Sequence, residues 1–260
     1  MKQNLQRICV LLSAAAFLGM LVTAATAQTS EVKEKAPMYS YVGNWTLPRA
    51  QWGAMEKENA NDQKVLQAAL ANGTLVGYGN DMTIVHSADG ETHDEWWSAT
   101  SEAGLMNVLD QFYKNGSSVS PVLGSATKHW DEIYVSRYYN WHPGSWTGVY
   151  THTSIYKLKD DASDDSLDTL SKSLFVPLLE KLLADGAIHE YEIDTQAIHT
   201  QAPGNFYIVY IAANAEGLDK VNAALREAMK ANPLGGPAFD SVTDFKGHRD
   251  GLLRTNATYK

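Results

Sequence analysis

The stretch that decides the fold runs from Ala71 to Leu105 and reads ANGTLVGYGNDMTIVHSADGETHDEWWSATSEAGL. Shifted by 113 positions, it aligns without a gap on Ala184 to Leu218, ADGAIHEYEIDTQAIHTQAPGNFYIVYIAANAEGL, and eight of the 35 positions are identical. The matched polar positions are the pairs Tyr78/Tyr191, Asp81/Asp194 and His86/His199. A repeat of this length indicates one folding unit that the chain uses twice.

Hydrophobic periodicity and turn residues predict the same order of elements, β-α-β-β-α-β, on both sides of a short aromatic connector. In the first half the predicted strands are 38–47, 75–87, 96–99 and 131–139, with helices over 49–70 and after Ser101. In the second half they are 147–158, 188–200, 206–212 and about 251–258, with helices over 166–184 and from Asn214 to 230, and a loop over 232–237. Ser101 and Asn214 are suited to cap the helices that follow them.

Two such units in tandem resemble a duplicated, fused member of the dimeric α/β-barrel superfamily, in which two ferredoxin-like four-stranded sheets face each other. The resemblance covers nearly all of the chain after its N-terminal segment and rests on topology. It implies an α+β fold with a first half over residues 38–140, a connector over 141–146 and a second half over 147–260. The superfamily includes small-molecule monooxygenases and haem-binding enzymes, so the fold leaves the activity open.

The N-terminal residues have the pattern of a secretory signal peptide. Lys2 and Arg7 precede an apolar run, and Ala25-Thr26-Ala27 forms an A-x-A cleavage site. We therefore expect residues 1–27 to be removed, residues 28–37 to form a flexible lead-in, and the protein to be exported to a periplasmic or extracellular location. The apolar run is too short for a comfortable membrane span, so no membrane insertion is expected after cleavage.

Composition narrows the classes of partner. The net charge is −9, and removal of Lys2 and Arg7 with the signal makes it −11. Such an acidic chain, without a Lys/Arg cluster, argues against nucleic acid as a partner. The single cysteine, Cys9, lies in the signal, so the exported chain has no disulfide to stabilise it. A barrel fused in one chain is expected to be monomeric.

The repeated histidines His86 and His199 are the first candidate acid/base groups. Each lies near the end of the second strand of its half, in phase with Tyr78 or Tyr191. If that face looks into a cavity, two imidazoles and two phenols would line it and could exchange protons near neutral pH. The alternative is structural, because a histidine at a strand end can cap the following turn.

A second repeat, at an offset of 119, places His129 and Asp131 over His248 and Asp250. Residues two apart on an extended segment share a face, so each carboxylate could orient its imidazole as in a base-orienter pair. An ordinary local hydrogen bond at a strand entrance explains the same spacing. His86, His129 and Asp131, or their counterparts in the second half, have the side-chain types of a mixed His/carboxylate metal site. None of the standard metal-ligand spacings is present, so no metal is predicted.

The divergence between the halves leaves one further alternative open. Glu190 and Glu192 stand where the first half has Gly77 and Gly79. The acids form either a solvated edge or one acidic wall of a cavity, in which case the glycines would leave room for a ligand. Aromatic residues in the matched strands are expected to contact a ligand. These expected ligand contacts are Tyr78, Tyr191, Trp97 and Tyr210.

Three functions remain open from the sequence. The leading hypothesis is binding of a small organic molecule between the two halves. The second is a monooxygenase-like or isomerase-like enzyme that uses the paired histidines as acid/base groups. The third is a protein-interaction module that has no cavity. The sequence leaves the identity of any cofactor unknown.

Overall fold

The computed structural model describes residues 34–200 and 203–260. The predicted signal peptide and residues 28–33 of the lead-in lie outside these residues. The rest of the lead-in contacts the barrel, because the Lys35 N–H donates to the Arg137 carbonyl at 2.8 Å and Arg137 forms an ion pair with Glu34. The Tyr139 hydroxyl donates to the carbonyl of Ala36 at 2.9 Å. This part of the lead-in is therefore fixed on the barrel surface.

Nine strands and six helices follow one another in the described residues. The strands are β1 (Met38–Thr46), β2 (Gly77–Thr83), β3 (His93–Ala99), β4 (Lys128–Trp141), β5 (Ser145–Trp146), β6 (Tyr150–Lys157), β7 (Ile188–Gln196), β8 (Asn205–Ala212) and β9 (Arg249–Tyr259). The helices are α1 (Trp52–Ala71), α2 (Glu102–Asn115), α3 (Ser166–Leu170), α4 (Val176–Ala184), α5 (Ala215–Ala231) and α6 (Gly235–Val242).

The strands form one antiparallel sheet that closes on itself. Its order is β2-β3-β1-β4-β7-β8-β6-β9, and pairing of β2 with β9 completes an eight-stranded barrel. The two-residue strand β5 adds to β9 at the rim. Closure leaves none of the eight strands with an unpaired edge. The predicted α+β class is confirmed, and the sheet is a barrel.

Helices α1 and α2 cover the outer face of the strands of the first half. A buried core lies between these layers. Its members are Tyr41, Leu66, Ala69, Leu75, Tyr78, Trp97, Ala99, Leu105, Val108 and Phe112. In the second half, α4 packs on β7 and on α5. The strands are therefore covered by helices on one face and turn the other face into the barrel.

The positions that the repeat preserves are those that turn the chain and cap the helices. Gly73 and its counterpart Gly186 both have positive φ, +78° and +67°, which glycine adopts without strain at the end of a helix. Ser101 accepts a hydrogen bond from the Gly104 N–H at 3.2 Å, and Asn214 accepts one from the N–H of Gly217 at 2.9 Å. The two predicted caps are confirmed.

The matched glycines Gly104 and Gly217 are required by close packing. A Cβ at Gly104 would lie 3.1 Å from the Thr74 carbonyl, and one at Gly217 would lie 2.4 Å from the carbonyl of Ala187. Thr74 and Ala187 are themselves 113 positions apart. The repeat therefore preserves the site where each helix approaches the loop before its neighbouring strand.

The strands predicted over 75–87 and 188–200 end earlier, at Thr83 and Gln196, and two helical regions also differ from the prediction. The helix predicted over residues 166–184 is divided into α3 and α4 by a π-helical turn, Ser171–Phe175. Pro177 lies in the first turn of α4, and because it has no N–H it cannot continue the regular hydrogen-bond ladder through that turn. Part of the loop predicted over 232–237 belongs to α6. No helix among the described residues is long and apolar enough to span a membrane.

Candidate functional site

The barrel encloses a cavity of about 590 Å³, a volume within the range of small-molecule sites. Every second residue of a strand faces inward, so one face of each strand lines the cavity. The lining includes Trp96, Trp130, Tyr134, Tyr207, Val209 and Ile211 as its aromatic and aliphatic members. Its buried acidic members are Asp81, Asp94, Glu132, Glu190, Glu192 and Asp194.

The alternation of side chains along β7 shows whether Glu190 and Glu192 form a solvated edge or a wall of the cavity. Tyr191 faces the helices, where its hydroxyl donates to Glu180 of α4 at 2.6 Å. Glu190, Glu192 and Asp194 alternate with the helix-facing residues, line the cavity and are buried. They form an acidic cavity wall rather than a solvated edge.

Asp81 and Asp94 face each other across β2 and β3 and form an acidic pair. Asp81 accepts hydrogen bonds from the Trp96 indole N–H and the Thr151 hydroxyl, both at 3.1 Å. Burial raises the pKa of both carboxyl groups, and the charge of Asp81 raises that of Asp94 further. Two adjoining carboxyl groups in a low-dielectric interior resist ionising together, so this arrangement favours a pair that retains one proton.

Asp194, the repeat counterpart of Asp81, occupies an equally buried position. The Ser136 hydroxyl donates to its carboxylate. Burial raises the pKa of Asp194 well above its ordinary range, and the charge of Glu192 raises it further, although the hydrogen bond from Ser136 works in the opposite direction. The matched aspartates therefore give each half one carboxyl group with a raised affinity for protons.

Lys260 neutralises part of the β7 wall. Its ammonium group forms ion pairs with Glu190 and with Glu192, the latter at 3.2 Å, and its side chain is fully buried. The Trp96 and Trp141 rings each lie 4.9 Å from Nζ, which adds cation–π contacts. Burial opposes the charge on Lys260, but the two carboxylates outweigh it and raise its pKa.

The glycines of the first half are filled by neighbouring side chains. A Cβ at Gly77 would lie 2.4 Å from Cδ of Lys260, and one at Gly79 would lie 2.6 Å from the Trp96 ring. The room expected for a ligand beside these glycines is occupied by Lys260 and Trp96. The cavity lies further in, against the other lining residues.

A third polar group joins β4, β7 and β8. Glu132 accepts hydrogen bonds from the Gln196 amide at 3.2 Å and the Tyr207 hydroxyl at 3.4 Å. The Tyr134 and Tyr207 rings contact each other with centroids 4.6 Å apart. Burial, and then the charge of Glu132, raises the pKa of both tyrosines. These phenols stay protonated and can donate hydrogen bonds to a bound molecule.

The repeated histidines His86 and His199 do not line the cavity. Both are exposed, in the loops that follow β2 and β7. The His86 ring lies 5.4 Å from that of Trp52, outside the barrel. The turns after these strands end at the surface, so matching sequence positions bring the two histidines to solvent and not to a shared site.

Both His-x-Asp pairs form as the spacing predicts. Nε2 of His129 lies 3.4 Å from Oδ1 of Asp131, and Nε2 of His248 lies 3.6 Å from Oδ2 of Asp250. The hydrogen bond to Asp131 raises the pKa of His129. His129 and Asp131 face away from the cavity, whereas Asp250 lies at its exposed mouth. The geometry brings each pair together but places only Asp250 beside the cavity.

The four aromatic residues expected to contact a ligand face the other way. Tyr78 and Trp97 belong to the core beneath α1 and α2, and Tyr191 points to α4. Tyr210 stacks on His152, with ring centroids 4.9 Å apart, and does not line the cavity. Their neighbours one position away, such as Trp96, Glu190 and Val209, line it instead. Alternation is as predicted, but the inward face is the opposite one.

The lining residues do not suit a metal centre or a haem. Among residues 34–200 and 203–260, no group of three or more histidine, cysteine, aspartate and glutamate side chains has an arrangement that could hold a metal ion. The described lining contains no histidine, cysteine or methionine, and the raised pKa values of Tyr134 and Tyr207 disfavour the phenolate form in which tyrosine binds haem iron. The cavity offers carboxyl, phenol and indole groups, which bind organic molecules.

The fold resembles that of several solved structures. No family model and no curated protein matches the sequence. A proposed monooxygenase from Lactobacillus acidophilus NCFM has a TM-score of 0.59 at 12% identity, over 87% of this chain and 97% of that chain. A proposed monooxygenase from Fusobacterium nucleatum has a TM-score of 0.61 at 7% identity, over 87% and 95%. An anthrone oxidase-like protein has a TM-score of 0.52 at 12% identity, over 86% and 93%. The chain has the dimeric α/β-barrel fold.

Proposed function

We propose that this protein binds a small organic molecule in the cavity of its barrel. The observation that carries the proposal is the combination of a volume of about 590 Å³ with both apolar and hydrogen-bonding lining groups. Ligand sites usually combine apolar walls with a few directed polar groups. A protein-interaction module would have no need of a cavity inside its barrel.

The proposal includes a finer description of the fold. The strand order β2-β3-β1-β4 in the first half and β7-β8-β6-β9 in the second is the same order of equivalent strands. This supports two tandem ferredoxin-like units that form a fused dimeric α/β barrel. Because both seams, β4–β7 and β2–β9, lie within one chain, the protein is proposed to be a monomer. Light scattering after size-exclusion chromatography tests this.

Native mass spectrometry of the protein purified without denaturation tests the binding function. We expect a co-purifying mass that is lost from a Val209→Trp variant, in which the indole fills part of the cavity. Val85→Trp is the matched control because Val85 is exposed outside the cavity, and it should keep the bound mass. Retention of the same ligand by a folded Val209→Trp variant would place the ligand elsewhere and refute the proposal.

A second candidate function is an enzyme of the isomerase-like or monooxygenase-like kind. The proton shared by Asp81 and Asp94 favours it, because a carboxyl pair with raised pKa values can serve as acid and base near neutral pH. In this reading the pair takes the role that the sequence suggested for histidines. Turnover of the captured ligand by the wild type, and its loss in an Asp94→Asn variant that still binds, would separate an enzyme from a binding protein.

Export is proposed as well, on the signal-like residues 1–27. Intact-mass measurement of the protein secreted by a bacterial host should give a chain that begins at Gln28. A full-length chain in the cytoplasmic fraction would refute the proposal.

A further inference from the structure

We infer that the cavity takes an organic cation, a protonated amine or quaternary ammonium with an apolar body. This inference rests on the proposed function, because it names the chemical class of the molecule that the barrel would bind. It follows from the imbalance of charge around the cavity, from polar atoms that lack partners there, and from the aromatic side chains that stand beside them.

The buried lining is strongly acidic. Six buried carboxyl side chains face the cavity, from β2, β3, β4 and β7. The described cations near them are Lys260, which is already paired with Glu190 and Glu192, and Arg249, which is exposed at the mouth. A bound cation would stabilise these carboxyl groups in their ionised form, whereas a bound anion would gain only hydrogen bonds from the protonated form.

Two facing polar atoms of the lining, one on β1 and one on β3, lack hydrogen-bond partners. No described donor reaches Oδ1 of Asp94, although this residue is only 8% exposed and lines the cavity. The amide Nδ2 of Asn44, directly opposite on β1, also has no acceptor. A buried acceptor without a partner costs about 1–3 kcal/mol. An ammonium group beside Asp94 would satisfy its carboxylate.

Aromatic rings complete the set of groups that an organic cation requires. Trp96, Trp130, Tyr134 and Tyr207 line the same cavity. Their faces attract cations, and the protein already uses this chemistry where Lys260 lies over Trp96. The aliphatic residues Val209 and Ile211 provide surface for the apolar body of the ligand. Carboxylates combined with aromatic rings distinguish this cavity from one built for a neutral hydrocarbon.

Binding of a cation in the cavity should release protons, which calorimetry can detect. Burial raises the pKa values of Asp94 and Asp194, which favours their protonated form when no cation is present. A bound cation would lower both pKa values and drive protons into solution. The enthalpy measured by calorimetry should then differ between HEPES and phosphate buffers, whose ionisation enthalpies differ.

A set of three naphthalene probes tests the inference on the wild-type protein. The probes are 2-naphthylmethylamine, which is a cation at pH 7, the neutral alcohol 2-naphthalenemethanol and the anion 2-naphthoate. Isothermal titration calorimetry should show the amine binding at least about tenfold more tightly than the alcohol, as a desolvated cation–π contact and an ion pair would give. Binding of the naphthoate should be the weakest.

Asp94→Asn removes one carboxylate while it preserves the shape of the side chain. It should reduce the preference for the amine over the alcohol by about tenfold and leave the affinity for the alcohol unchanged. Glu227→Gln is the matched control, because Glu227 is exposed on α5 and pairs with Lys230. This control makes the same change in net charge away from the cavity and should keep the full preference.

The outcomes separate the two proposals. If the alcohol binds the wild type as tightly as the amine, the cavity binds organic molecules but the cation inference is wrong. If the amine is preferred equally by Asp94→Asn and by Glu227→Gln, and no protons are released, the cation lies outside the cavity and the inference is again wrong. If none of the probes binds and no ligand co-purifies, the proposed function itself fails.

Discussion

Replacement of Lys260 by methionine removes the cation of the buried ion pair and preserves most of its apolar stem. The wild-type ammonium group lies against Glu190 and Glu192 and between the rings of Trp96 and Trp141. The variant leaves these carboxylates without their cation in a site that water does not reach. The folded protein then has to bind a proton in place of Lys260.

The cost of that proton sets the expected loss of stability. Burial raises the folded pKa of Glu190 well above the ordinary glutamate value of 4.5 in the wild type, and the charge of Lys260 lowers it, so removal of Lys260 should raise this pKa further. Holding one glutamate protonated costs about 3.4 kcal/mol at pH 7 and about 0.8 kcal/mol at pH 5, and these are upper limits for the variant because the wild type already carries part of this cost. Because the folded pKa is raised, the loss of stability is small below pH 4.5, where the unfolded chain is also protonated, and it increases as the pH rises. The pH 7 value agrees with the 3–5 kcal/mol typical of a broken buried pair.

Urea unfolding at pH 5 and pH 7 measures this loss. Lys230→Met is the matched control, because its ion pair with Glu227 spans 2.7 Å but both side chains are 71% exposed, and it should cost less than about 1 kcal/mol. The double variant Lys260→Met with Glu190→Gln should recover part of the stability at pH 7. A loss from Lys260→Met below about 1 kcal/mol at pH 7, or one that does not change with pH, would refute the account of the ion pair.

Three further predictions concern stability. Asp94 has a raised folded pKa, so it destabilises the wild type increasingly as the pH rises. The urea midpoint of Asp94→Asn minus that of the wild type should therefore increase between about pH 5 and pH 8, and a constant difference would contradict this. Leu105→Ala, at a fully buried position of α2, should lower the free energy of unfolding by about 2–5 kcal/mol, and a loss near zero would show a loose core. Asn214→Ala removes the acceptor for the Gly217 N–H and should cost about 1 kcal/mol in thermal or urea unfolding, whereas Asn214→Ser should cost less.

Much of the architecture could be predicted because the repeat preserves local devices that act through the backbone. Gly73 and Gly186 are visible in the sequence as helix stops, and Ser101 and Asn214 as caps. These features depend on a few neighbouring residues. Together with the hydrophobic pattern they predict the order of elements, whereas the pairings of β4 with β7 and of β2 with β9 that close the barrel join residues distant in the sequence.

The inward face of the strands could not be predicted, since the strands are buried on both faces. Tyr78 and Asp81 are both almost fully buried, one beneath the helices and the other in the barrel. Alternation along β2 and β7 separates two sets of side chains but does not say which set faces the cavity. The signal for the site was the matched pair Asp81/Asp194, because a repeated buried acid has no use in an apolar core beneath a helix.

A barrel formed by a single chain has a consequence that two identical subunits could not produce. In a barrel made of two identical copies, equivalent positions on the two sides of the cavity would carry the same residue. Here Gly77 and Gly79 admit Lys260 and Trp96 on one side, while Glu190 and Glu192 stand at the equivalent places on the other. The two sides of the cavity differ in charge, so the two opposite orientations of a bound molecule would differ in binding free energy. A molecule held inside it has one preferred orientation, and any chemistry there would act on one of its two ends.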